Sequence, residues 1–78
     1  MKCTFEDIKR LIIESANVDK EITPNSILKT ELGIDSIYAV EMILALEEKF
    51  NIQIELAEMD TMMTVSQVVE VVNRKLGE

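Results

Sequence analysis

The run from Ser36 to Phe50 contains no glycine and no proline and is rich in strong helix formers. In a chain of 78 residues, one helix of that length dictates what everything else must pack against. It is introduced by Leu32-Gly33-Ile34-Asp35. Asp35 stands where an N-cap belongs, a short acceptor side chain just before the apolar-periodic residues. Gly33, two residues earlier, lets the backbone turn sharply into the helix. Ser36 therefore falls in the first helical turn, with its hydroxyl expected outward at the end of a loop.

At about 100° per residue, this helix has two apolar sides. Ala39, Met42, Ile43, Leu46 and Phe50 form a conventional core face. Ile37, Val40 and Leu44 form a second stripe, with Glu41, Glu47 and Glu48 interleaved or flanking. Such a stripe either packs under a loop or stays exposed as an acid-rimmed strip that meets a partner.

The charge supports the second reading. Fifteen acids against 8 bases give −7. That balance argues against nucleic acid, which is bound through Lys and Arg at phosphates, and against anionic membrane surfaces. It favours steering toward basic patches on partner proteins. With one cysteine, Cys3, no intrachain disulfide can form, and with no histidine neither a His/Cys zinc site nor a Ser-His or Cys-His nucleophile is available. No calcium-binding loop has the required acidic spacing and central glycine. No apolar run reaches the length of a membrane span, and no signal-peptide pattern precedes Phe5, so the chain reads as a cytoplasmic, single domain over residues 1–78.

Around the central helix the remaining elements follow from local signals. Thr4-Phe5-Glu6-Asp7 resembles a capping box and opens a helix from Phe5 to about Ala16, with Phe5, Ile8, Leu11 and Ile12 as its core stripe and Ile13 at the edge. Residues 17–34 form a long connection with a turn at Thr23-Pro24-Asn25 and apolar anchors at Ile22, Ile27, Leu28 and Leu32. Asn51 ends the central helix as a residue able to take positive φ. Ile52, Ile54 and Leu56 alternate like a strand, but a lone strand has no pairing partner, so an extended loop with Ile54 inward is expected. Glu58 to Met62 is expected to form one short turn, with Met59, Met62 and Met63 facing the interior. Thr64-Val65-Ser66-Gln67 is a second capping box. It starts a last helix to about Leu76, with Val65, Val68, Val69, Val72 and Leu76 inward and Gly77 as the stop.

The Leu32-Gly33-Ile34-Asp35-Ser36-Ile37 run, the Val40-Glu41 pair and the Ala45-Leu46-Glu47-Glu48-Lys49-Phe50 end of the helix together resemble the acyl carrier protein family over roughly Thr4 to Leu76. The resemblance implies an all-α fold, a small bundle of three main helices plus one short helix, with a long loop between the first and second. It implies a carrier, not an enzyme. By position, Ser36 is the serine that a phosphopantetheinyl transferase would esterify with 4′-phosphopantetheine from coenzyme A, with Gly33 and Asp35 completing the attachment motif. The arm's thiol would hold acyl intermediates as thioesters. Ile37, Tyr38, Val40, Glu41, Leu44, Glu47 and Glu48 would form the face for acyl-processing enzymes with basic patches. Met42, Ile43, Leu46, Ile54, Met59, Met62 and Val68 would line an acyl pocket. The chain is expected to act as a monomer without metal or membrane insertion.

The residue setting agrees with this chemistry. A loop-to-helix junction gives a modifying enzyme access, and a phosphodiester there meets unpaired N–H groups and the positive helix end, worth roughly 0.3–1 kcal/mol when exposed. Ser15, Ser26 and Ser66 have no comparable setting. Two positions depart from the family pattern. Ile37 replaces the usual Leu, and Tyr38 replaces a commonly acidic residue, which points to a specialised member with its own partners. An aminoacyl or peptidyl carrier, and a helical interaction domain that carries nothing, remain as alternative readings of the same residues.

Overall fold

A computed structural model describes residues 2–77, except the side chain of Ser36. The described residues form four helices: α1 (Phe5–Ala16), α2 (Ser36–Phe50), α3 (Leu56–Met59) and α4 (Val65–Leu76). Three main helices and one short one are the expected architecture. The bounds of α1, α2 and α4 match because their ends are written locally. Thr4 caps α1 reciprocally: its N–H donates to Asp7 Oδ2 at 3.0 Å, and the Asp7 N–H donates to Thr4 Oγ1 at 3.2 Å. That hydrogen bond from the Thr4 backbone holds the Asp7 carboxyl below its usual pKa. Thr64 and Gln67 cap α4 in the same way. Asn17 and Asn51 end α1 and α2 in the left-handed region at φ 53° and 54°.

The core lies where α1, α2 and α4 meet. Ile8 and Ile12 from α1, Leu46 from α2, and Val65, Val68, Val71 and Val72 from α4 are fully buried. Two expectations for α4 are corrected. Val71, not Val69, joins the buried face, and Val69 and Leu76 are only partly covered. Adjacent valines give a helix no contrast by which the inward one can be chosen; tertiary packing decides it. Cys3 is buried in the same core. Asn73 on α4 fixes it by one amide, accepting from the Cys3 N–H at 2.7 Å and donating to the Cys3 carbonyl at 2.9 Å. Burial pushes the Cys3 thiol up to about 11, with Asp7 adding to the rise.

The short helix differs from expectation. It begins at Leu56 and ends at Met59, whereas Glu58 to Met62 was the predicted turn. Glu55 and Glu58 form an acidic capping box, with the Glu55 N–H donating to Glu58 Oε1 at 2.9 Å. Lys75 on α4 reaches the same carboxylate at 2.7 Å, and both contacts hold the Glu58 carboxyl below its usual pKa, the backbone hydrogen bond most. Leu56 starts this helix and points into solvent. Ile54 does turn toward the core, though only partly buried.

The long connection between α1 and α2 is ordered by α4. The N–H groups of Val65 and Ser66 lack partners inside their own helix. They donate to the carbonyls of Ser26 (3.1 Å) and Pro24 (2.9 Å). The Leu28 N–H donates to the Met63 carbonyl at 2.9 Å, and Ile27 bridges Thr64. This seam holds the loop beside the start of the last helix. Ser26, a polar residue the sequence did not flag, is buried within it, its Oγ accepting from the Thr23 N–H at 2.9 Å. Leu28, Leu32, Ile22 and Ile34 anchor the loop, but Ile27 stays 38% exposed.

Candidate attachment site and cleft

The loop reaches α2 through a turn built from alternating roles. Leu32 and Ile34 are buried, and Gly33 between them takes φ +69°. An L side chain is strained there even though the space beside Gly33 is open. The Ile34 N–H donates to the Leu28 carbonyl at 2.8 Å and closes the turn. Asp35 then takes an extended N-cap backbone, and its carbonyl accepts the first helical bond, from the Tyr38 N–H at 3.0 Å. Ser36 is the first residue of α2. The expectation that its hydroxyl points outward concerns a side chain outside the described residues.

The expected capping by Asp35 is corrected in one respect. Asp35 holds the N-cap position, but its carboxylate makes no cap hydrogen bond, and the first turn of α2 carries no acid. Both α1 and α4 have side-chain capping boxes. The positive end of α2 is therefore left available to an anion, and the exposed turn leaves room beside it. A phosphodiester on the helix's first residue fits that setting.

Down the outer side of α2 run Ile37 (72% exposed), Val40 (52%) and Leu44 (58%), with Tyr38 beside them. The second stripe is not covered by a loop. Glu41 and Glu48 are exposed on its margins. Glu47 is different: it is half-buried, and its carboxylate accepts from the Ile54 N–H at 2.9 Å. One oxygen of this predicted partner residue thus fastens the α2–α3 loop.

On the other side of the α2 N-terminus lies a cleft of about 520 Å³, within the usual range of ligand pockets, roughly 300–1,000 Å³. Met42, Ile43, Met59 and Met62, four of the residues expected at an acyl pocket, line this cleft. Leu46 and Val68 do not; both are sealed in the three-helix core. Ile54 also stays off the cleft wall. Met63, expected inside, is 62% exposed and stands at the rim. The loop side of the cleft (Ile27, Leu28, Lys29 and Ile34) was missed, along with Asp35, Ala39 and Asp60. Its one sequence signal was the apolar pair flanking Gly33, whose anchoring forces the loop against the start of α2. Among the described residues no group of three His, Cys, Asp or Glu is placed to hold a metal, and no helix is long and apolar enough to cross a membrane.

A family model described as the phosphopantetheine attachment site matches residues 6–72. The fold and this match define a carrier whose expected covalent prosthetic group is 4′-phosphopantetheine. The chain is 45% identical over 67 residues to the acyl carrier protein of Helicobacter pylori strain J99, covering 85% of this chain and 86% of that protein. It is 44% identical over 66 residues to the acyl carrier protein of Wolinella succinogenes, covering 83% and 87%. The chain belongs to the acyl carrier protein family. Among solved structures, a chain in the one titled "The ishigamide ketosynthase/chain length factor" matches with a TM-score of 0.75 and 27% identity, covering 95% of this chain and 94% of that one.

Proposed function

We propose that Ser36 bears the 4′-phosphopantetheine arm and that the chain presents acyl thioesters to enzymes of fatty acid, polyketide or related lipid biosynthesis. The observation that carries this reading is the start of α2, where Asp35 makes no side-chain cap and the first turn carries no acid, delivered by the Gly33 turn between buried Leu32 and Ile34. When attached, the arm supplies a terminal thiol for the cargo. The protein's residues do the rest. Gly33 and Ile34 fix where the helix starts, and the first N–H groups of α2 balance phosphate charge. The apolar cleft beside Asp35 supports an acyl cargo over an aminoacyl one.

The exposed stripe serves as the docking face. Ile37, Val40 and Leu44 supply contact area, Tyr38 adds an aromatic surface, and Glu41 and Glu48 steer basic patches. Glu47 belongs to this face through its remaining carboxylate oxygen. The chain itself performs no catalysis and works as a cytoplasmic monomer. The neighbour whose title names a ketosynthase and chain length factor is consistent with partners that extend acyl chains.

Incubation with coenzyme A and a promiscuous phosphopantetheinyl transferase tests the site. Intact mass spectrometry should show the gain of one arm, absent in Ser36→Ala. A persistent gain in that variant, or none in the parent, rejects the assignment.

A further inference from the structure

Four of the chain's five methionines, Met42, Met59, Met62 and Met63, line the cleft beside Asp35. Two of them, Met42 (2% exposed) and Met62 (5%), also belong to the buried core, whose most deeply buried side chains are otherwise Ile, Leu and Val with Cys3, whereas Met59 and Met63 stand at the rim. Methionine is not the economical choice for an apolar wall, because its three rotatable bonds must be ordered on contact. What it adds over leucine is a polarizable sulfur that seats well against the edge or face of an aromatic ring. No described residue of the cleft wall is aromatic, so a ring offered to the thioethers from within the cleft would come from its occupant.

We propose that the cleft selects acyl chains carrying a flat π system, an aryl ring or conjugated double bonds, over saturated chains of equal carbon number. The proposal rests on the attachment reading, since Asp35 and Ala39 place the cleft mouth beside Ser36. Met62 and Met42 form the buried wall, while Met59 and the exposed Met63 adjust at the rim.

The test compares protein loaded with phenylhexanoyl, with a conjugated chain of the same carbon count, and with saturated dodecanoyl pantetheine arms. Thioester cleavage by hydroxylamine is measured for each and divided by the rate for the matching free pantetheine thioester. The π-bearing cargoes should be protected about two- to tenfold more than dodecanoyl. Methionine-methyl NMR of the phenylhexanoyl form should show ring-current shifts at Met42, Met59, Met62 and Met63. The double variant Met59→Leu with Met63→Leu keeps apolar volume at half-exposed and exposed positions and should lose the preference. Protection of the aryl chain alone assigns the ring as the recognised group; protection of both assigns the extended π face. Equal or better protection of dodecanoyl, or a preference that survives in the double variant, overturns the proposal. Intact mass reports loading separately. Should Ser36 take no arm, free phenylhexanoyl and dodecanoyl pantetheine are titrated and the dissociation constants are read from the methyl shifts; equal or tighter binding of dodecanoyl overturns the proposal there.

Discussion

Asn73 does at the residue scale what a strand pair does in a sheet: one side-chain amide satisfies both backbone groups of Cys3. Truncation leaves a donor and an acceptor unpaired beside the core. Asn73→Ala should cost about 1–3 kcal/mol, read as a lower urea midpoint. Cys3 itself makes stability depend on alkali. Burial lifts its folded pKa to about 11, above the ordinary thiol value of 9.0. Between those values the unfolded thiol ionises while the folded one keeps its proton, so the folded state binds more protons and loses stability as pH rises. Its contribution is fully present below pH 9. Denaturation midpoints should fall through this window, and Cys3→Ala should flatten the fall. Neither role was legible in the sequence. Cys3 is a lone cysteine near the start, and Asn73 sits in a polar trio with Arg74 and Lys75; only their meeting across 70 positions gives them meaning.

Among the elements, α2 was the most legible and α3 the least. The two faces of α2 follow from 3.6-residue periodicity: Met42, Ile43, Leu46 and Phe50 are buried and Ala39 partly so, while Ile37, Val40 and Leu44 are exposed. The caps of α1 and α4 depend on residues three apart, so they too can be read locally. The cap of α3 uses Glu55, a residue outside the preferred N-cap set, and its far end is held by Lys75 from another helix. Glu47 shows the same limit. Its place on the wheel is correct, but its bond to the Ile54 N–H depends on how the chain returns after Asn51. Glu47→Ala should therefore loosen the α2–α3 loop, with about 0.5–1.5 kcal/mol lost and faster amide exchange at Ile54. Glu41→Ala should leave that exchange unchanged and weaken only partner binding. Equal exchange in the two variants would contradict the structural role of Glu47.

For the whole molecule, the −7 charge and the exposed stripe act on different parts of association. Charge governs encounter, and salt screens it with a Debye length of about 10 Å at 0.1 M. Association rates with a basic acyl-processing enzyme should drop at least about tenfold between low and high salt, while Leu44→Ala should chiefly raise the dissociation rate. Stopped-flow measurements separate the two. The cleft was legible only on its α2 and methionine side, because its other wall is a loop with no periodicity. That wall is set by backbone hydrogen bonds to α4, and backbone bonding partners leave no mark in side-chain patterns.

The same stitching of Pro24, Ser26 and Leu28 to residues 63–66 has a mechanical consequence. A bulky guest cannot enter by peeling the connector away from the final helix, since that would break several amide links together. The give is expected instead in the small Leu56–Met59 segment, which is held to the rest by side chains: the Lys75–Glu58 ion pair, the Glu47 bond at the preceding Ile54 and the packing of Met59. Filling the molecule would then be a one-sided swelling, like a drawer sliding from a rigid frame, with the frame's amides silent and the drawer's exchanging.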